Sequence, residues 1–418
     1  MNPWPLVLAD LSRNRVGAVA VVLLVALAVA LGVAVSAQDR ALRLGSARAA
    51  DKVSLFVGAP GSETQLVLSA VYLQAAAIGL VPPEVLEELG QERTVKLASP
   101  IGFGDSWRGH PVVGVTPQLL THLAGGALPE GRAFGVLDEV VIGADVPLPI
   151  GTQFQPTHGM IAIEGEHDEH ELGYRTVGRM PRLGSPWDRA ILAPIEAVWW
   201  VHSLPIGHAI DDQRLYPNGP DAAPDWTAIP LGPPWDRDEL TGVPAIVVEP
   251  ATFAAAYALR QQYRSRDGTM AVFPAEVLIK LYSLLGDVRD LLAMVSILTQ
   301  MLVIGAVLLA VLASLSQRRR LIAVLRALGA SRRFIFATVW LSVAVMLTAG
   351  SVLGLLLGYG AALALAQVFA AETAVSLPVA LSGKELELVV TIIVIGLCLA
   401  TIPALLAYRG SVAAGLRS

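Results

Sequence analysis

The chain has 418 residues, of which 54% are apolar and only 16% are charged, and its mean hydropathy is +0.59. Soluble globular domains carry about 25% charged residues, so this composition argues against a purely soluble protein. The high apolar content also excludes intrinsic disorder. The net charge of −5 is the sum of a basic part and an acidic part of the chain.

Uncharged apolar runs long enough to cross a bilayer, which takes about 20 residues, occur in four places. They predict transmembrane helices at 16–38, 286–317, 334–365 and 388–408. Residues 1–15 form an amphipathic segment that we expect on the inner membrane surface. A fifth run, 64–83, has apolar residues at helical spacing over 64–77 and ends in two prolines. It predicts a helix buried in a soluble domain.

The arginines predict the orientation of these spans. Four spans place both termini and the loop 318–333 on one side, with ten basic residues against the single acid Asp10. The positive-inside rule makes that side the cytoplasm, with a cytoplasmic tail at 409–418. The segments 39–285 and 366–387 are then outside the cytoplasm. Residues 39–290 hold 19 Lys+Arg and 31 Asp+Glu, and this acidic balance argues against a nucleic-acid partner.

The sequence contains none of the motifs that would make the chain an enzyme. It has no phosphate-binding loop of the form G-x-x-x-x-G-K-[ST], no G-x-S-x-G and no H-E-x-x-H. We therefore expect no cofactor on this chain, and any ATP and Mg²⁺ on a partner. The uncharged runs 16–38, 291–317, 334–371 and 388–408 contain no Asp, Glu, Lys, Arg or His, which argues against an ion-coupled carrier.

Two motifs belong to the predicted membrane part. The first is the G-x-x-x-G-x-x-x-G series Gly350, Gly354 and Gly358, which predicts close helix packing within one chain or between two copies. The second is the loop R-R-R-L-I-A-V-L-R-A-L-G-A-S-R-R at 318–333. Its leucines share one helical face and Gly329 favours a helix end. The loop is either a basic connection or a coupling helix that inserts into an ATPase.

This loop, followed by a glycine-rich span, resembles the FtsX/MacB-like permease family, whose pattern here is R-x-E-I-x-x-L-R-A-L-G-A. The order of one span, a large external domain and three further spans is also similar, as are 125–151 and Val177-Gly178. Two positions depart from the family pattern, since Leu321 and Ser342 stand where the family has acidic residues.

The resemblance implies a polytopic α-helical membrane protein with four transmembrane helices. A large mixed α+β, MacB-like domain with a stalk is inserted between helices 1 and 2. It implies a type VII ABC permease that works by mechanotransmission with an ABC ATPase dimer and a second permease copy, identical or a paralogue. The ATPase-coupling residues would be Ile322, Leu325, Arg326, Ala327, Leu328, Gly329, Ala330 and Arg332.

A metal site is predicted at an acidic, histidine-containing cluster formed by Glu166, His167, Asp168 and His170. Such residues can bind zinc, but the sequence favours the alternative that the cluster is a solvated acidic hairpin loop. The segments 185–199 and 205–208 resemble a subgroup that we associate with zinc-linked uptake and a His-rich periplasmic partner. His202 and His208 are weaker candidates for the same ion, with a capping or loop role as the alternative.

The sequence leaves several functions open. Zinc-linked uptake with a periplasmic metal-binding protein competes with efflux or lipoprotein extraction through a periplasmic adaptor. An FtsX-like regulator of cell-wall hydrolases is a further alternative, and a receptor without an ATPase is the last. The nature of the bound partners distinguishes them.

Overall fold

The computed structural model describes residues 2–49, 51–74, 78–159, 172–218, 224–317, 324–373 and 375–409. They form two compact units. We call the first the membrane unit, which comprises 1–42, 285–368 and 378–418. The second is the large domain, which comprises 43–284 and 369–377.

The helices are α1 (Trp4–Arg13), α2 (Arg15–Ala49), α3 (Glu63–Ala70), α4 (Pro83–Gln91), α5 (Pro117–Ala124), α6 (Ile195–Val201), α7 (Asp212–Leu215), α8 (Phe253–Ser265), α9 (Pro274–Gln317), α10 (Arg332–Thr373) and α11 (Gly383–Arg409). The strands are β1 (Leu55–Gly58), β2 (Val95–Trp107), β3 (His110–Val115), β4 (Glu130–Gly131), β5 (Glu139–Ile142), β6 (Gln153–Phe154), β7 (Thr157–His158), β8 (Tyr174–Arg179), β9 (Ile191–Pro194), β10 (Ala245–Pro250) and β11 (Met270–Val272).

Three helices among the described residues are long and apolar enough to cross a membrane. The candidate spans are Arg15–Gly45 in α2, Arg332–Ala371 in α10 and Gly383–Leu406 in α11. The predicted span 286–317 lies within the single helix α9, where Ala293–Leu302 is a shorter apolar stretch. The chain is therefore a membrane protein with three candidate spans, and the fourth span stays a prediction.

Two of these helices are longer than the spans predicted from the sequence. Helix α2 continues past residue 38 to Ala49, and α10 continues past residue 365 to Thr373. The uncharged runs mark only the part that needs an apolar surrounding, whereas the hydrogen-bonded helix continues while the residues favour it. The extension of α10 is rich in alanine, the best helix former.

The large domain is built on a mixed β-sheet. Its main path is β11-β1-β10-β2-β3-β9-β5-β8-β4, while β6 pairs with β8 and β7 pairs with β2. The β3/β9 and β5/β8 pairs are parallel and the others are antiparallel. A mixed α and β domain is what the sequence predicts for this segment.

Both faces of this sheet are buried. In β10, Ile246 and Val248 pack into one apolar cluster while Ala245 and Val247 pack into the other, and β9 alternates in the same way. Strands buried on both faces are apolar throughout, which explains why these segments lack a polar alternation.

One helix prediction is wrong in its extent. The sequence predicts a helix over 64–77, but α3 ends at Ala70. Leu73 adopts a positive φ of 54°, which the right-handed helix does not allow. Apolar residues at helical spacing therefore continue beyond the point where the backbone leaves the helix. Residues 75–77 lie outside the described part of the chain.

Candidate functional site

The structure describes residues 324–333 of the loop 318–333, and we call this part the coupling segment. Its helical turn has a defined end. Residues 324–327 are helical, and Gly329 follows with a φ of +97°. The Ala330 N–H donates to the Leu325 carbonyl (3.0 Å) and the Gly329 N–H donates to the Arg326 carbonyl (3.1 Å). This pair of bonds is a Schellman motif, which favours glycine because its left-handed residue has no Cβ to clash. Ile322 lies outside the described residues.

Two apolar side chains of the coupling segment are exposed. Leu328 is 80% exposed and Val324 is 41% exposed. Ser331 then begins the next helix, because its Oγ accepts a hydrogen bond from the Phe334 N–H (3.2 Å). Arg332, the first residue of α10, lies with its guanidinium 5.8 Å from the centre of the Tyr408 ring. The segment thus ends in an exposed apolar surface on a short capped turn.

The three glycines of the G-x-x-x-G series face α2. A Cβ built on Gly350, Gly354 or Gly358 would lie 2.9, 2.6 and 2.6 Å from the carbonyl oxygens of Val22, Ala26 and Ala30. Those three carbonyls are also four residues apart, so one face of α10 meets one face of α2 along two turns. The structure places this close contact within one chain.

A buried ion pair connects α2 with the start of α11. Arg40 Nη1 lies 2.6 Å from Glu385 Oε1, and the Glu385 side chain is fully buried. Ser36 Oγ donates to the same oxygen (2.8 Å), while the Ser382 N–H donates to Oε2 (2.8 Å). Ser382 and Glu385 form a capping box at the α11 N-terminus.

The large domain contains a group of possible metal ligands. Asp105, His158 and His202 each offer a ligand atom, and these atoms all lie within 4.8 Å of one another. Asp105 Oδ1 is 3.3 Å from His158 Nδ1 and 3.7 Å from His202 Nε2. Asp105 is on β2, His158 ends β7, and His202 directly follows α6.

His208 lies in a different environment. Its Nε2 is 3.9 Å from Oε1 of Glu196, which is fully buried. Burial raises the pKa of Glu196, partly offset by hydrogen bonds from the Trp235 indole (3.0 Å) and the Gly232 N–H (2.8 Å). Burial also lowers the pKa of His208. This pair belongs to the core, and among the described residues His208 is not part of the metal-ligand group.

The C-terminal part of the chain matches a known family. Residues 293–412 match the model described as FtsX-like permease C-terminal, a range that contains the coupling segment and all three glycines. The match covers less than half of the chain and shows the similarity of this C-terminal part alone.

No curated protein matches the chain. Among solved structures, the periplasmic region of MacB from Actinobacillus actinomycetemcomitans matches with 10% identity and a TM-score of 0.34. The match covers 57% of this chain and 97% of that one. The extracellular domain of the noncanonic ABC-type transporter YknZ from Gram-positive bacteria matches with 10% identity and a TM-score of 0.28, over 53% of this chain and 98% of that one. Both TM-scores are below 0.5.

The group of possible metal ligands only partly coincides with the residues expected from the sequence. Glu166, His167, Asp168 and His170 lie outside the described residues. His202, a weaker candidate, lies near Asp105 and His158. The sequence analysis did not predict Asp105 or His158 as ligands. These three are far apart in the chain: the pairing of β7 with β2 places His158 beside Asp105, and the packing of α6 against β2 places His202 there. A pattern of nearby residues cannot reveal such a group.

Proposed function

We propose that the chain is the inner-membrane permease subunit of a type VII ABC system. It couples ATP hydrolysis on a separate ATPase to movement of a periplasmic domain. The observation that carries this proposal is the FtsX-like match at 293–412, because it includes the segment expected to contact the ATPase. In this proposal the chain itself hydrolyses no ATP.

The coupling segment supports this role through its surface. A leucine that is 80% exposed at the end of a helical turn leaves apolar area that a partner surface would cover. The Schellman stop at Gly329 holds the turn in one conformation. ATP binding would close an ATPase dimer, move this segment in each of two permease copies and drive α10 and α9.

The finer part of the proposal is zinc-linked uptake with a periplasmic metal-binding partner. Its support is the resemblance of 185–199 and 205–208 to the zinc-linked subgroup, together with the Asp105, His158 and His202 group. Efflux or lipoprotein extraction through an adaptor, and regulation of a cell-wall hydrolase, are the competing outcomes of the experiment below.

The experiment is to purify the full-length chain gently from its own membranes and identify the proteins that remain bound. We expect an ABC ATPase in stoichiometric amount, together with a metal-binding periplasmic protein. An adaptor in its place would mean efflux or extraction, and a hydrolase would mean cell-wall regulation. Absence of an ATPase under every nucleotide condition would contradict the permease role.

A pair of variants makes the test specific. Leu328→Asp places a charge on the exposed end of the coupling segment and should remove most of the ATPase. Phe253→Asp is the matched control, because Phe253 is also 80% exposed but lies on α8 of the large domain. ATPase binding that survives Leu328→Asp, or that is lost equally in both variants, would contradict a contact through the coupling segment.

A further inference from the structure

Three side chains of the large domain converge with spacings that suit a metal ion. Zinc holds nitrogen and oxygen ligands at about 2.0–2.2 Å, so two ligands of a tetrahedral site lie about 3.4 Å apart. Asp105 Oδ1 lies 3.3 Å from His158 Nδ1 and 3.7 Å from His202 Nε2. Both distances are close to that edge length, and the ligand atoms of the two histidines lie within 4.8 Å of each other, so side-chain adjustment could bring all three onto one ion.

The hydrogen bonding of His202 prepares one ring nitrogen for a cation. His202 Nδ1 lies 2.7 Å from the Val198 carbonyl oxygen, which can only accept, so Nδ1 carries the ring proton. The other ring nitrogen, Nε2, lies 3.7 Å from Asp105 Oδ1 and is the nitrogen of this tautomer that can bind a metal ion. Metal-binding histidines commonly donate their other N–H to a carbonyl in this way.

The backbone around the group fixes its geometry. The Gly159 N–H donates to the Gly104 carbonyl (2.8 Å), and Asp105 and His158 are paired residues of β2 and β7. A Cβ on Gly104 would lie only 2.6 Å from His202 Nε2, so the absence of a side chain there makes room for the ring. Strand pairing therefore holds Asp105 and His158, and the close approach to Gly104 positions the His202 ring.

The ligand types select the class of ion. Two imidazoles and one carboxylate suit zinc and similar divalent transition metals, whereas Ca²⁺ and Mg²⁺ prefer sites made of oxygen. The Asp105 side chain is 1% exposed but that of His158 is 60% exposed, so the group is reached from solvent. Structural zinc sites are closed by four protein ligands, and three ligands with an open position suit an ion that exchanges.

We propose that Asp105, His158 and His202 bind a zinc ion, with water as the fourth ligand. The site differs from the sequence-predicted cluster at 166–170. The idea that the ATP cycle drives uptake and release of this ion rests on the proposed function, but the binding itself does not.

The test measures zinc affinity of the purified full-length chain by competition with a chromophoric chelator. We expect one zinc per chain at this site. His158→Ala and His202→Ala should each weaken binding by about 100-fold or more, since even loss of an outer-shell partner costs about 10–100-fold. His158→Ala should fold normally because that side chain is mostly exposed. Substitution of Co²⁺ for zinc should give the visible absorption of a four-coordinate ion.

Two further variants separate a metal site from a histidine–aspartate hydrogen-bond network. Gly104→Ala keeps all three ligands but crowds His202, so it should also weaken zinc binding. His122→Ala is the control, because the exposed His122 ring lies 2.9 Å from the Lys52 carbonyl oxygen and is not part of the metal-ligand group among the described residues. This variant should bind zinc like the wild type. A chain that binds no zinc, with the three residues acting only as a network, would overturn the proposal.

The alternative cluster is tested with the double variant His167→Ala/His170→Ala. Zinc binding that is lost there but unchanged in His158→Ala and His202→Ala would also overturn the proposal. A different result would contradict the proposed function. If the chain binds zinc at Asp105, His158 and His202 but never retains an ATPase, the metal site is supported and the permease role is contradicted.

Discussion

At the residue scale, the most informative position is the buried acid Glu196. Its side chain is fully buried and accepts hydrogen bonds from Trp235 and Gly232, yet burial still raises its pKa. An acid whose pKa is higher in the folded state than in the unfolded state favours folding while it is protonated. That contribution is complete below the ordinary value of 4.5 and is lost as the pH rises through the raised pKa.

The raised pKa of Glu196 predicts how the stability of Glu196→Gln depends on pH. The amide oxygen of glutamine still accepts both hydrogen bonds but never carries a charge. The variant should therefore match the wild type near pH 4.5 and become relatively more stable towards pH 8, measured as the thermal midpoint in detergent. His208 is present in both proteins, so its own titration cancels in the difference to first order. A difference that stays constant with pH, or that grows towards acid, would contradict this assignment.

At the element scale, the close contact of α10 with α2 determines how the membrane unit packs. Val25, Val29 and Val33 of α2 are buried against α10 and α11 residues that include Val343, Leu347 and Ile392. The glycine face of α10 lets backbones approach where larger residues would separate them.

Glycine-to-alanine changes at two positions of α10 should have opposite effects. Gly354→Ala puts a methyl group 2.6 Å from the Ala26 carbonyl oxygen, and such overpacking costs about 1–3 kcal/mol. Gly360→Ala meets no described atom within 4 Å and should be neutral or stabilise the helix by up to about 1 kcal/mol. Thermal midpoints of the two variants compare them directly. Equal effects would show that the α2 contact is not formed in the protein.

The ion pair between α2 and α11 gives a second prediction at this scale. Arg40→Ala leaves the fully buried Glu385 carboxylate without its cation and should destabilise the membrane unit by about 3–5 kcal/mol, nearer the lower value because Arg40 is partly exposed. Adding Glu385→Gln should recover part of this loss, because the amide needs no cation. A double variant whose loss equals the sum of the single losses would show that the two residues do not interact.

The sequence predicts individual secondary-structure elements better than the tertiary contacts between them. The helix end predicted at Gly329 is found there, because glycine adopts the positive φ that this stop requires. Periodicity could not predict that α3 ends at Ala70, because Leu73 leaves the helix through its backbone conformation and not through a change in hydrophobicity. Periodicity also could not predict that Asp105 lies near His202, since this depends on the packing of α6 against β2.

At the scale of the whole molecule, the proposed function requires two surfaces to lie on opposite sides of the membrane. It requires the arginine-rich coupling segment to face the cytoplasm, where ATP is available, and the acidic large domain to face outside. The chain has a single cysteine, Cys398, so a Cys398→Ser background lets one introduced cysteine report its side.

The most direct test is therefore labelling of intact cells with a membrane-impermeant maleimide. Leu328→Cys and Phe253→Cys are matched probes, since both positions are 80% exposed. We predict that Phe253→Cys is labelled in intact cells, whereas Leu328→Cys is labelled only after the inner membrane is opened. Labelling of Leu328→Cys in intact cells, with Phe253→Cys protected, would place the coupling segment away from any cytoplasmic ATPase and contradict the proposed function.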